Sequence, residues 1–102
     1  MTSGAFDPVI HPPARLQAMA MLAEATEVEF ALLRAATGVS DSVLSKHLSA
    51  LADAGYVVLR KAAAGGRVRT WVAATRTGRA AFRDHVARLQ ALVAVADRLA
   101  AE

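Results

Sequence analysis

Short polar side chains recur in residues 37–55 at a spacing that suits contact with another molecule. They share one side of a predicted helix, and they are Ser42, Ser45, Lys46 and Ser49. Hydroxyl and amine groups can hydrogen-bond base edges and phosphates, and small side chains let a backbone approach DNA closely. The same pattern is also typical of an amphipathic helix whose polar face is only solvated. Both interpretations stay open at this point.

Three leucines must position that polar face. Leu44, Leu48 and Leu51 recur at a four-then-three spacing, which predicts that they lie on the opposite side of the same helix. Gly38 favours a left-handed stop to the preceding helix, and Ser40 is a predicted N-cap for the next one. The segment therefore predicts a turn that delivers a helix anchored by leucines, with its polar face turned outward.

The length and composition of the chain restrict the class of protein. The chain has 102 residues, which predicts a single domain over 1–102 with one modest core. It has no cysteine, so disulfides and thiolate metal sites are excluded, and a reducing cytoplasm is expected. No apolar run approaches the roughly 18 residues that a membrane span requires. A cytoplasmic protein without membrane association is therefore predicted.

Positive charge is concentrated in one quarter of the chain. The net charge is only +3, yet residues 60–83 contain no acid. They do contain Arg60, Lys61, Arg67, Arg69, Arg76, Arg79 and Arg83. A basic segment of this kind favours a polyanion as the partner.

The periodicity predicts a mainly α-helical fold with one β-hairpin. Residues 1–10 are expected to form an irregular N-terminal arm, because His11-Pro12-Pro13 interrupts any earlier structure. Helices are predicted at about 13–25, 29–37, 40–55 and 76–100, strands at 56–62 and 68–74, and a loop at 63–66. Residues 26–29 are read as a connector that can include one short edge strand.

The hairpin places basic side chains together. Pairing Ala62 with Arg67 would put Arg60 directly opposite Arg69, with Lys61 nearby. Opposed arginines are unfavourable on an isolated hairpin, and a phosphate between them would relieve the repulsion. The alternative is that both guanidinium groups extend into solvent, as most surface charges do.

The last helix is too long for this domain to cover. Over 76–100 it would extend about 37 Å at roughly 1.5 Å per residue. A four-three repeat runs along one side of it, which is typical of a coiled-coil seam. Its members are Phe82, Val86, Leu89, Val93 and Ala96, widened by Leu92. The helix therefore predicts a partner, and a second copy of the chain is the expected one.

Three segments together resemble small bacterial transcriptional regulators of the MarR/ArsR superfamily, in particular a compact MarR-like subgroup. They are HPPARLQAM at 11–19, VSDSVLSKHLSALADAGYV at 39–57 and GRVRTWVAATRTGRAAF at 66–82. The resemblance implies a winged helix-turn-helix: a three-helix core, a two-stranded wing and a long C-terminal dimerisation helix. It also implies that the third helix reads the major groove, and that the wing grips the DNA backbone or minor groove.

Site residues follow from the spacing and the resemblance together. The predicted DNA-binding residues are Ser40, Asp41, Ser42, Ser45, Lys46, His47, Ser49, Arg60, Lys61, Arg67 and Arg69. The predicted dimerisation residues lie on the first and last helices, and they are Leu16, Met19, Phe82, Val86, Leu89, Leu92, Val93 and Ala96. The expected partners are double-stranded DNA with a near-palindromic operator and a second copy of the chain.

Other chemistry finds little support in the sequence. His11, His47 and His85 fall in three separate elements, so no metal site is predicted, and a solvated pair is expected for Asp84 and His85. No nucleophile elbow or glycine-rich phosphate loop occurs, so neither an enzyme nor a cofactor is predicted. Whether a small-molecule effector exists is left open.

Two functions remain. The first is a homodimeric, sequence-specific DNA-binding regulator, and a repressor is the default that the resemblance implies. The second is a winged-helix module that uses the same surfaces to bind a protein and does not bind DNA. An acid-free basic wing favours DNA, because single-sign charge hinders most protein–protein contacts.

Overall fold

The computed structural model describes residues 6–102, and the expectation for residues 1–5 lies outside the described residues. Within residues 6–102 the chain forms four α-helices and a three-stranded antiparallel sheet. The elements are α1 (Pro13–Ala23), β1 (Val28–Glu29), α2 (Phe30–Thr37), α3 (Asp41–Asp53), β2 (Val57–Ala64), β3 (Arg67–Ala74) and α4 (Arg76–Ala100). The predicted winged-helix class is confirmed.

Helices α1, α2 and α3 pack with the sheet around one apolar core. Most of the buried side chains come from positions that the helical periodicity selects, and β1 contributes Val28. The fully buried large apolar residues are Ile10, Met19, Leu22, Leu33, Leu44, Leu48, Leu51 and Val72. Helix α1 ends at Ala23, two residues earlier than predicted.

The end of α3 turns the chain directly into the wing. Gly55 adopts φ 79°, and its N–H donates to the Ala52 carbonyl at 2.9 Å. The Tyr56 N–H donates to the Leu51 carbonyl at 2.9 Å, which completes a Schellman motif. Because the left-handed conformation suits glycine, Gly55 fixes the direction in which β2 leaves the recognition helix.

The hairpin is longer, and its turn shorter, than the sequence predicted. Gly65 and Gly66 both have positive φ, 58° and 78°, so they form a two-residue turn of the type that Gly-Gly favours. Ala64 therefore pairs with Arg67, and Arg60 lies opposite Trp71. The predicted pairing of Arg60 with Arg69 is wrong by two residues, because Ala63 and Ala64 belong to strand β2 and not to the predicted loop. A two-residue shift leaves the same side chains on each face.

The start of α4 is fastened to the end of α3. The Thr75 hydroxyl accepts from the Gly78 N–H at 2.9 Å and so caps α4. A side chain at Gly78 would collide with the Tyr56 carbonyl, so this close contact requires glycine. Arg79 donates to the Ala25 carbonyl at 3.0 Å, behind the end of α1. Arg79 therefore has a structural role, although it contributed to the basic segment in the sequence.

A polar cluster holds residues 6–12 against α4. The Asp7 N–H donates to His85 Nδ1 at 3.1 Å, and His85 Nε2 lies 3.1 Å from His11 Nδ1. The Tyr56 hydroxyl donates to the Asp7 carboxylate at 2.6 Å. Phe6 stacks on the His11 ring at 5.0 Å between centroids. Residues 6–10 are irregular as predicted, yet a hydrogen bond from Asp7 to His85 ties them to α4.

His85 is only 1% exposed, so the expected solvated Asp84–His85 pair is wrong. His11 and His85 fall in separate elements along the sequence, yet their rings are in contact. Spacing along the chain provides no sign of this contact, because the two residues are 74 positions apart and meet only when the arm folds back. Since His85 Nδ1 accepts from the Asp7 N–H, its single proton lies on Nε2 and is donated to His11 Nδ1. The contact therefore requires both imidazoles to be neutral.

The environment of the cluster favours the neutral form of His85. Burial, and then the neighbouring His11, lower the pKa of His85 below its ordinary value of 6.5, while Asp7 and Asp84 act in the opposite direction and Arg88 adds to the lowering. The hydrogen bond to Asp7 is the main cause that raises the pKa of Tyr56 to about 12, so this hydroxyl stays a donor. A lowered histidine pKa makes the unfolded chain bind more protons than the folded chain, so stability is lost as pH falls.

We therefore expect the protein to lose stability as the pH falls below the ordinary histidine pKa. His85→Gln removes this titration. The variant should therefore lose less stability between about pH 7.5 and pH 5.5 than the wild type does. Urea unfolding at the two pH values measures the difference. Burial, and then Arg15, also lower the pKa of His47. His47→Gln should therefore remove its own part of the pH dependence of stability and leave the part due to His85. An unchanged pH dependence in His85→Gln would contradict the assignment.

Candidate nucleic-acid interface

The helix-turn-helix presents the polar side of α3 outward. Gly38 ends α2 with φ 73°, and its N–H donates to the Arg34 carbonyl at 2.9 Å. Leu44, Leu48 and Leu51 are all fully buried, as their spacing predicts. The polar face is therefore held outward by the core behind it. Its exposed members are Ser42, Ser45, Lys46 and Ser49.

The first turn of α3 is already occupied by contacts within the chain. The Ser40 hydroxyl accepts from the Val43 N–H at 3.2 Å, so this predicted DNA-binding residue acts as the N-cap. Asp41 accepts from Arg34 of α2 at 2.9 Å, in an exposed ion pair. Asp41 therefore holds a cation beside the helix, in addition to suiting the positive end of the helix dipole.

His47 lies on the side of α3 that faces α1. Its Nδ1 accepts from Arg15 Nε at 3.0 Å, and the ring is half-buried. Burial, and then the adjacent Arg15, lower the pKa of His47, which favours the neutral ring. The sequence assigned this residue to DNA binding. The structure places it in a packing contact, apart from the exposed serines.

The candidate interface includes two residues that the sequence did not predict. Val43 is 40% exposed on α3, and an apolar side chain there can contact a thymine methyl group. Its position immediately before Leu44, off the leucine stripe, was the available signal. Arg34 is an exposed cation of α2, 2.9 Å from Asp41. The sequence contains no signal for Arg34, because its place depends on how α2 packs against α3.

A groove runs between α3 and the wing. It is lined by Ser45 and Ser49 from the helix and by Lys61 and Thr70 from the strands. Lys61 pairs with Thr70 across the hairpin, so both side chains lie on the face turned towards α3. Lys61 was expected near Arg60, yet neighbouring residues of a strand face opposite ways. The wing cation that faces the polar side of α3 is therefore Lys61.

Arg67 stands at the tip of the wing. It follows Gly65 and Gly66 directly, and all three residues are exposed. Glycines without side chains let the turn approach a DNA backbone, and a long cation suits phosphates or a narrow minor groove. The structure thus keeps Arg67 where the sequence placed it, at the far end of the hairpin from α4.

Arg60 and Arg69 lie on the outer face of the wing, and both are paired. Arg60 forms a bidentate contact with Glu27, with a shortest N···O distance of 2.5 Å, and Arg69 lies 3.0 Å from Glu29. The hairpin segment contains no acid in the sequence, but in the folded protein Glu27 and Glu29 lie beside its arginines. The expectation of an acid-free wing is therefore wrong. Strand β1 pairs with β3, and this pairing brings Glu29 beside the arginines.

The predicted dimerisation residues separate into two groups. Met19 is fully buried within the chain, so its predicted place in a dimer contact is wrong. Leu16, Phe82, Val86 and Leu89 are partly buried, and α1 packs against α4. The remaining residues, Leu92, Val93 and Ala96, are exposed, as are Val95 and Leu99 beside them. The distal part of α4 therefore carries an uncovered apolar stripe.

Clusters of metal ligands and membrane-spanning helices are both absent from residues 6–102. The His, Asp and Glu side chains of this range form no group of three or more that could hold a metal ion. No helix in the same range is long and apolar enough to cross a membrane.

This chain resembles known proteins in both sequence and fold. A family model described as a winged helix DNA-binding domain matches residues 14–93. The chain belongs to this family. Its members are a class of DNA-binding proteins rather than enzymes, and the match spans α1, the helix-turn-helix, the wing and most of α4.

Individual relatives agree with the family. A transcriptional regulator homologue from Pyrococcus horikoshii has a TM-score of 0.80 and 25% identity, covering 87% of this chain and 88% of that one. A MarR-family transcriptional regulator from Silicibacter pomeroyi has a TM-score of 0.64 and 25% identity, with coverage of 81% and 55%. An uncharacterized protein of Methanocaldococcus jannaschii is 32% identical over 72 residues, 71% of this chain and 78% of that protein. These findings confirm the resemblance to MarR-like regulators and support a DNA-binding regulator.

The opposite faces of α3 predict opposite effects of substitution. Lys46→Glu should abolish specific DNA binding without unfolding the protein, because residue 46 is exposed and a carboxylate repels phosphates. Leu48→Ala should lower the free energy of unfolding by about 2–5 kcal/mol, because it removes a fully buried side chain.

Urea unfolding and a binding titration with each variant separate the two effects. Glu24→Gln is the control, because it changes one charge at an exposed position just after α1, outside α3. It should leave both the fold and specific binding intact. Normal binding by Lys46→Glu, or unfolding caused by that variant, would show that the faces of α3 are assigned incorrectly.

Proposed function

We propose that the protein is a homodimeric transcriptional repressor that binds near-palindromic double-stranded DNA. One observation carries the proposal. The exposed polar face of α3, backed by fully buried leucines, lies beside a wing that directs Lys61 towards it and Arg67 beyond it. This geometry suits a helix in the major groove and a wing on the adjacent backbone or minor groove.

Sequence reading is assigned to the outward side chains of α3. Ser42, Ser45, Lys46 and Ser49 supply hydrogen-bonding groups for base edges, and Val43 supplies an apolar contact. Affinity is assigned mainly to the cations of the wing, because contacts to phosphate depend on charge more than on base identity. Ser40 and Asp41 shape the N-terminus of α3 and stand close enough to the serines to adjust how the helix meets DNA.

Dimerisation is supported by the apolar stripe on distal α4. Leu92 and Leu99 are 56% and 66% exposed, and Val93 and Val95 beside them are also exposed. The coiled-coil spacing of the stripe suits a second copy of the same helix. A twofold dimer would present two α3 helices to half-sites about 34–36 Å apart, which is why a near-palindrome is proposed.

Repression is proposed because it is the default that the resemblance to MarR-like regulators implies. The competing function is a winged-helix module that binds a protein and no DNA. The basic wing distinguishes the two less sharply than the sequence suggested, because Glu27 and Glu29 neutralise part of its charge. The exposed serines and lysine of α3, together with the family match, favour DNA.

DNA binding is tested by titrating the protein against its own upstream DNA and against random DNA at several salt concentrations. We expect tighter binding to the upstream site. Arg67→Ala should weaken both DNAs by similar factors and reduce the slope of log K against log salt by about 0.9, the value for one phosphate contact. Arg83→Ala removes the same charge from an exposed position on α4, and it is the matched control.

The result can contradict the proposal at two levels. Absence of binding to either DNA at low salt would favour the protein-binding alternative. A slope that Arg67→Ala leaves unchanged, or a loss confined to the upstream site, would show that Arg67 reads bases or does not touch DNA.

The dimer is tested by placing charges on the apolar stripe. Leu92→Glu with Leu99→Glu should convert the dimer to a monomer in sedimentation experiments and weaken binding to a full site more than to a half-site. Ala87→Glu with Ala94→Glu is the matched control, since these exposed residues have the same seven-residue spacing on the opposite side of α4. A dimer that survives the leucine substitutions would show that the interface lies elsewhere.

A further inference from the structure

Two of the wing's four cations already bind carboxylates of the same chain. Arg60 contacts Glu27 through two nitrogens, and Arg69 Nη1 lies 3.0 Å and 3.4 Å from the two oxygens of Glu29. Arg60 and Arg69 are two of the three arginines that the sequence assigned to DNA. Both glutamates belong to β1 and the connector before it, outside the hairpin itself.

The two pairs occupy one face of the sheet. Glu29 lies opposite Trp71 in β3, and Arg60 lies opposite Trp71 from β2, so all three side chains share the outer face. Arg69 is on the same face, two residues from Arg67 at the tip. The pairs therefore lie close to the part of the wing that the proposed function brings to DNA.

These two ion pairs contribute little to the stability of the fold. The side chains of Arg60 and Arg69 remain 55% and 45% exposed, and exposed ion pairs contribute only about 0–1 kcal/mol. Their effect on charge is larger, because each glutamate offsets a cation that could otherwise neutralise a phosphate. A carboxylate also presents two acceptor oxygens to a guanidinium, much as a phosphate does.

We propose that Glu27 and Glu29 act as internal phosphate substitutes that limit the affinity of the wing for DNA of any sequence. This inference rests on the proposed function, and it identifies how the charge of that site is regulated. The two glutamates compete with DNA phosphates for Arg60 and Arg69, while Lys61 and Arg67 stay available to bind DNA. The effect falls most heavily on non-specific binding, because charge supplies nearly all of its free energy.

Removing the carboxylates should increase binding to random DNA and its dependence on salt. Each released arginine that reaches a phosphate adds about 0.9 to the slope of log K against log salt. At about 0.1 M salt that slope corresponds to a gain of at most roughly eightfold per arginine. Glu27→Gln and Glu29→Gln should therefore each tighten random DNA several-fold, and the double variant should approach the product of the two effects.

The decisive measurement is a cycle on random DNA that combines Glu27→Gln and Glu29→Gln with Arg60→Ala and Arg69→Ala. The glutamine substitutions should steepen the salt dependence in the wild-type background and not in the background that lacks the arginines. Asp84→Asn is the matched control, because it removes one charge and frees Arg88 from a similar ion pair on α4. It should leave the slope unchanged.

The outcomes separate this inference from the proposed function. If the wild type binds its upstream DNA but the glutamine variants leave both affinity and slope unchanged, the inference fails and the function stands. An equal gain in the background without the arginines would mean that the glutamates act only by long-range repulsion, which also overturns the inference. If the wild type binds neither DNA, the proposed function fails first.

Discussion

Burial of one side of α3 is the constraint on which the rest of this molecule depends. That side is completely removed from solvent through Leu44, Leu48 and Leu51. Any rotation of the helix that buried its serines would expose a leucine. Losing a buried leucine costs several kcal/mol, far more than any single surface contact contributes. The orientation of the polar face is therefore decided by hydrophobic burial, and its chemistry is free to vary. The Schellman turn at Gly55 then transmits that orientation to the wing.

The wing is an assembly of distant parts rather than an independent hairpin. Its inner face, with Lys61, is turned towards α3, while its outer face is completed by acids from β1 and the connector before it. Only two residues of β1 pair with β3, yet that short pairing brings Glu29 onto the outer face beside Arg69. The concentration of basic residues in the sequence therefore overstates the positive charge that a partner would meet.

Local signals predicted most of the fold, because helix periodicity and the Ser40 cap act within a few residues. The bounds predicted for α4 agree with the structure for the same reason. The hairpin register was missed because a Gly-Gly turn needs only two residues, whereas the neighbouring alanines resemble a loop. The Arg60–Glu27 and His11–His85 contacts join residues 33 and 74 positions apart, so no spacing rule could reveal them. Which serines touch DNA remains a prediction.

The length of α4 has a mechanical consequence. The molecule measures 60 Å along its longest axis, and the apolar stripe lies near the free end of a 25-residue helix. In the proposed dimer this helix is a lever between the twofold axis and α3. A tilt of about 5° at one end of a lever roughly 37 Å long moves the other end by about 3 Å, close to the rise of one base pair. The spacing of the two recognition helices would thus be set by small angles at a joint remote from DNA.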